Sequence, residues 1–170
     1  VTTAPGNIGD GYRFQIRFGG SVRLDGIGID DGVLEWGAEF SRSRVRDPFT
    51  REQRTFDSDP ELEWQLNFRQ DLAWKNLAYG FEAGEESPRY RFDRDYSQEE
   101  QEDLELQVFL EFQPRENLTV RLRADNLLDG SDQRERLQYE GDRSDSELER
   151  RELRTSQSGR EIRLSVEGTF

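Results

Sequence analysis

From Tyr12 onward the chain alternates between apolar and polar side chains. Even positions hold Tyr12, Phe14, Ile16, Phe18, Gly20, Val22 and Leu24; odd ones hold Arg13, Gln15, Arg17, Gly19, Ser21 and Arg23. In a β-strand successive side chains point to opposite faces, so this stretch has one apolar and one cationic face. It is longer than a soluble strand of about five or six residues. It is long enough for a tilted membrane-spanning strand, which needs about nine to eleven.

The pattern recurs six times. Leu34, Trp36, Ala38 and Phe40 alternate with Glu35, Gly37, Glu39 and Ser41. Leu62, Trp64, Leu66 and Phe68 alternate with Glu63, Gln65, Asn67 and Arg69. Further runs centre on Tyr79 and Phe81, on Leu106 to Phe112, on Val120 and Leu122, and on Ile162, Leu164 and Val166. Residues 97–103 and 144–154 are rich in the helix formers Glu, Gln, Leu and Arg. Each abuts a clear strand, so extended strand ends protruding into water are expected there. The connections are short at 25–32, 70–76 and 113–117, and long and polar at 47–60, 85–103 and 129–147. The fold expected is all-β: an antiparallel up-and-down meander of about seven long strands. Turns short on one side and long on the other are the loop asymmetry of an outer-membrane barrel.

Composition excludes several chemistries. The chain of 170 residues contains no His and no Cys, so a Ser-His-Asp triad, a His/Cys zinc site, a thiol nucleophile and disulfides are impossible. A net charge of −13 argues against a nucleic-acid partner. No apolar run of about 18 residues exists, which excludes a transmembrane helix. Only 32% of residues are hydrophobic, but 11% are aromatic, and disordered acidic tails are poor in aromatics. One domain is expected. With no initiating Met and no leader-like start, it reads as a mature chain or a fragment.

Alternation alone does not say which face is the core, because soluble and membrane barrels give the same string with opposite facing. Three features favour lipid on the apolar side. The polar face is ionic, with Arg13, Arg17, Glu35, Glu39, Glu63, Arg69, Glu105, Glu111, Arg121, Arg123 and Arg163, as suits a water-filled lumen. Trp36, Phe68, Trp74, Tyr79, Phe112 and Phe170 gather near the short-turn ends, where interfacial rings belong. The chain also ends on a strand whose last residue is Phe170. Seven strands are odd in number, whereas bacterial single-chain barrels are even. The expectation is the C-terminal portion of a larger barrel.

The segment Leu122-Arg123-Ala124-Asp125-Asn126-Leu127-Leu128-Asp129, and the final strand from Gly159-Arg160 through Ile162, Leu164 and Val166 to Phe170, resemble the end of TonB-dependent outer-membrane receptors. Ser43-Arg44-Val45-Arg46-Asp47-Pro48 and Phe68-Arg69-Gln70-Asp71-Leu72 are similar to a proteobacterial subgroup of that family. The resemblance implies the last seven strands of a 22-strand wall, in a barrel that takes up a scarce nutrient such as a metal chelate or a glycan. It further implies partners: outer-membrane lipid, the rest of the barrel and its plug, TonB through that plug only, and the barrel-assembly machinery. In the family that machinery reads alternating apolar residues of the last strand. Ile162, Leu164, Val166 and Phe170 match this signal, and Gly168 departs from it. Asn126, Leu127, Leu128 and Asp129 match the stretch that closes the penultimate strand.

No catalytic, cofactor or metal residue is expected. Asp57 and Asp59, Asp129 and Asp132, and Asp142 and Asp145 offer oxygens but lack EF-hand spacing, and read as solvated acidic loops. Gly26-Ile27-Gly28 is read as a turn, and the sequon at Asn117 carries no meaning at a strand start. The alternative is a soluble antiparallel barrel or sandwich holding an apolar ligand, with Leu62, Trp64, Leu66 and Phe68 inside. A third class, an engineered barrel fragment, is disfavoured by the irregular loops.

Overall fold

The seven alternating segments are neighbouring strands of one antiparallel sheet in the computed structural model, which describes residues 9–168 (for Ala73, the backbone only). In chain order the strands are β1 (Gly11–Arg23), β2 (Gly32–Arg46), β3 (Gln53–Arg54), β4 (Leu62–Leu72), β5 (Leu77–Glu86) and β6 (Arg89–Phe92). They continue with β7 (Tyr96–Glu102), β8 (Glu105–Arg115), β9 (Leu118–Asp125), β10 (Ser131–Tyr139), β11 (Leu148–Gln157) and β12 (Glu161–Gly168). The wall runs β1-β2-β4-β5-β8-β9-β12, each strand beside the next, with β3 pairing the end of β2. It is an open antiparallel meander with β1 and β12 at its edges.

Register puts every apolar run on one face. Val22 stands opposite Leu34, Leu34 opposite Phe68, Phe68 opposite Phe81 and Phe81 opposite Val108. The row continues through Ala124 to Ile162. A slip of one residue in any strand would break it, so the alternation itself fixes the pairing.

The row is oblique to the line of short turns. At the first turn Leu34 adjoins the last pair, Arg23 with Val33. At the second, Phe68 lies four residues from Leu72, and at the third, Val108 lies seven from Arg115. The irregularity between Phe112 and Arg115 adds one residue to the last of these offsets, so the stagger is between one and one and a half residues per strand. At about 3.3 Å per residue and about 4.8 Å between strands it corresponds to a tilt of roughly 35–45°, the range of closed and transmembrane barrels. On β1 the apolar positions run from Tyr12 to Val22, which at that tilt spans about 25 Å, the height of an outer-membrane apolar band.

Among the described residues no second layer covers that face; its central positions such as Leu66 and Phe68 are half-buried, and its edge-strand positions are open. Phe14 is 54% exposed, and Leu164 is 65% exposed. Among the described residues only Val45 and Ala78 are buried and apolar, whereas Ser41, Ser43, Asp47, Asp59, Gln70, Gln98 and Gln107 are buried and polar. The sheet is therefore held by its ladders and a polar interior rather than by a greasy core.

The short connections are as expected. Residues 25–27 form a tight 3-10 turn closed by Gly28 at φ 86°, a left-handed conformation that glycine adopts without strain. The long connections differ from expectation. Residues 85–103 contain β6 and β7, residues 129–147 contain β10, and residues 47–60 contain β3. Residues 97–102 and 148–154 are extended as expected, whereas residues 144–147 of the second segment form a turn closed by bonds from Asp145 and Ser146 N–H to the Asp142 carbonyl. The extended parts belong to a second sheet ordered β11-β10-β7-β6 rather than being mere strand ends. Each of its strands extends a wall strand (β5, β8, β9 and β12) after a short break. Apart from Tyr90 and Phe92 on the short β6, its strands carry no sustained apolar face, so hydrophobic alternation does not reveal it.

Candidate functional site: the polar face and its rim

All eleven charges assigned to the polar face lie on it, between the apolar positions of their strands. Phe109 interrupts them. Its ring lies under two guanidiniums, those of Arg69 and Arg121, each 5.8 Å from the ring centre. Glu111 bridges the same two arginines: Arg69 Nη2 reaches Glu111 Oε1 at 3.3 Å, and Arg121 Nε donates to Glu111 Oε2 at 2.9 Å. Gly80 stands opposite Phe109 in the ladder. A Cβ there would meet the Phe109 ring at 2.9 Å and the Phe68 carbonyl oxygen at 2.0 Å, so only glycine fits. Beside this cluster a hollow of about 410 Å³ is lined by Glu35, Asn67, Glu82, Gln107 and Arg123 among others. The alternation of β8 puts Phe109 among the polar positions, between Gln107 and Glu111. The lone aromatic in a polar row was the signal.

The remaining charges divide. Arg17 donates to Glu39 across strands at 2.7 Å. Arg13 reaches instead to the rim, 2.6 Å from Asp59. Arg123 and Arg163 stand directly opposite each other, a repulsive pairing relieved within each strand. Arg123 pairs with Asp125 at 2.5 Å, and Arg163 pairs with Glu161 at 2.7 Å. No ion pair involves Glu35, Glu63 or Glu105 among the described residues; Glu63 faces Glu39 and Glu86 across the ladder. Cross-strand pairing of Arg and Glu rows thus holds for some of the predicted charges and not for others.

The rim at the long-loop end centres on Asp47. This carboxylate is buried and accepts backbone N–H bonds from Phe49 at 2.9 Å and Thr50 at 3.1 Å. Its other oxygen takes Arg54 at 2.9 Å and Arg143. Both guanidiniums cover the Phe92 ring, at 4.6 and 5.5 Å. Burial alone pushes this carboxyl up, but Arg143 and the two N–H groups outweigh it and hold it below its ordinary value. Further down β2, Asp59 accepts from the Ser41 hydroxyl at 3.0 Å, while Asp57 binds Arg54 and Asp142 pairs with Arg94. The acidic loops are thus cross-linked to arginines. Among the described residues no three His, Cys, Asp or Glu side chains are grouped to hold a metal ion.

Asn126 occupies the left-handed region at φ 50°. Its side-chain amide donates to the carbonyl of Gly159 at 3.1 Å, and its oxygen accepts from Gly130 N–H at 2.8 Å. Leu127 N–H bonds to the Leu106 carbonyl, and Arg160 Nε donates to the Leu127 carbonyl at 3.0 Å. Asp129 N–H closes the turn on Asn126 at 2.9 Å, and Leu128 is exposed. This stretch knots β8, β9 and β12 where the wall meets the second sheet. Ile162, Leu164 and Val166 project from the outward face of edge strand β12; Phe170 lies outside the described residues.

Of the aromatics expected at the short-turn ends, Trp36, Phe68, Tyr79 and Phe112 share the apolar face. Tyr79 donates to Gln70 at 2.5 Å, and Gln70 donates to the Asp30 carbonyl at 2.8 Å, stitching two turns together. Trp74 is exposed in the second turn with the Lys75 ammonium 4.1 Å over its ring.

No family model, no curated protein and no solved structure matches the chain. The likeness to TonB-dependent receptors therefore rests on the motifs quoted above. No described helix is long and apolar enough to cross a membrane, which says nothing of strands.

Proposed function

We propose that this chain is part of the wall of an outer-membrane β-barrel, with Phe14, Leu66 and Leu164 toward acyl chains and the Arg69–Glu111–Arg121 face toward a water-filled lumen. The observation that carries this reading is the continuous apolar face across seven staggered strands, half-buried at the centre and exposed on the edge strands, with no second layer of described residues over it. Exposing so many large apolar side chains to water is unfavourable by about 25 cal/mol per Å², and patches beyond a few hundred Å² mark interaction surfaces. An acyl environment removes that penalty. The soluble alternative needs the same side chains gathered inside a closed body, and the exposure of Phe14 and Leu164 speaks against it.

Within the barrel reading, the motif at Asn126 to Asp129 and the final strand favour a TonB-dependent receptor for a scarce nutrient. The lumen charges would line the conduit, and the second sheet would stand outside the cell among the ligand-meeting loops. Cell fractionation tests the first step. The protein is expected in the outer membrane, released only by detergent, with Trp64 emission quenched by bromine-labelled acyl chains. Recovery in buffer alone, with blue-shifted emission indifferent to such lipids, would favour the soluble reading.

A further inference from the structure

The outward face of β2 changes character after Phe40. Leu34, Trp36, Ala38 and Phe40 are followed on the same face by Arg42, Arg44 and Arg46, all exposed. The intervening Ser41, Ser43 and Val45 are buried on the other face. There Asp59 binds the Ser41 hydroxyl and Phe56 N–H binds Ser43 Oγ, so residues 56–59 cover the inner side and leave Arg42 and Arg44 on the opposite face. Arg42 and Arg44 stand beside Phe14 and Tyr12 of β1.

These three arginines are not in salt bridges among the described residues. The arginines of the polar face are, in a chain with 37 acidic side chains against 24 basic ones. Arg46 donates to the Arg51 carbonyl, an uncharged acceptor, at 3.0 Å. Alternate residues of a strand lie about 7 Å apart, so the row is a vertical ladder of cations continuing the apolar band on its long-loop side. A guanidinium is a planar fork of N–H donors that binds phosphate through paired bonds.

We propose that Arg42, Arg44 and Arg46 dock the phosphate-bearing headgroups of the leaflet on the long-loop side. This rests on the membrane reading above. The occupant is a lipid rather than a soluble anion because the row is flush with Phe40 and Phe14. A headgroup held there lays its own acyl chains along those rings.

The test uses the whole protein in vesicles, reading tryptophan quenching by bromine-labelled lipids. Bromine-labelled phosphatidic acid, which presents a phosphomonoester, is compared with bromine-labelled phosphatidylcholine. The apparent binding constant is expected to favour phosphatidic acid by about fivefold or more, that floor being what one arginine supplies near an anionic surface. The triple variant R42Q/R44Q/R46Q is expected to bring the ratio to about one, with quenching by phosphatidylcholine unchanged, which also reports that the sheet has folded. A ratio near one in the wild type, or one unaltered in the variant, overturns the headgroup row and leaves the membrane reading standing. Quenching by neither lipid overturns the membrane reading with it. A preference abolished by inorganic phosphate, but not by chloride of equal ionic strength, overturns the lipid assignment in favour of a free-anion site.

Discussion

Asp47 gathers two arginines from segments far apart in sequence, Arg143 lying 96 positions away. Removing one partner of a buried ion pair strands the other, at about 3–5 kcal/mol. Asp47→Ala is expected to release loops 47–61 and 140–147 together, seen as loss of amide protection in both; release of only one would show that Arg143 is held by other contacts. Because the Asp47 carboxyl lies below its ordinary 3.8, the clamp contributes fully above that value. It weakens as pH falls through the depressed one. Acidification of the wild type should therefore loosen both loops below about pH 4, and Asp47→Asn should remove that dependence. At Gly80 the constraint is steric. Gly80→Ala should displace the Phe109 ring and part β4 from β5, lowering stability by about 1–3 kcal/mol and changing the near-ultraviolet aromatic signal. An unchanged signal would mean the ring has room to spare.

Strands tell their two faces apart by what each tolerates. Leu66 lies mid-way along the apolar positions of β4, and Gln65 beside it faces the polar side. Leu66→Arg is expected to cost about 2–4 kcal/mol in vesicle unfolding experiments, and Gln65→Arg far less. Equal costs would contradict the facing. The seven wall strands were legible because each segregates apolar side chains to one face and polar ones to the other, which imprints a period of two. The second sheet was not, because β7 (YSQEEQE) and β11 (LERRELRTSQ) are polar on both faces. Their extended state comes from continuing ladders that the wall strands begin. The site divides the same way. That these charges share one face followed from parity, but the partners did not, since Arg13 turns to Asp59 in a loop and Arg143 links two connections by pairing with Asp47.

Taken whole, the wall is defined by its two edges. β1 runs from the long-loop end at Gly11, paired with Val45, to the short-turn end at Arg23. β12 runs the same way, from Glu161 beside Asp125 to Gly168 beside Leu118. Joining them directly would create a parallel pair in an otherwise antiparallel sheet. Antiparallel closure needs an odd number of further strands between them. In lipid each unpaired backbone group at an open edge costs several kcal/mol, so the barrel reading demands those strands. Hydrogen exchange on the monomeric chain in detergent should therefore find β1 and β12 fast and the central β4 and β5 slow. Supplying the complementary strands should protect both edges at once. If β1 and β12 are as protected as β4 in the isolated monomer, the chain closes on itself and is no segment of a larger wall.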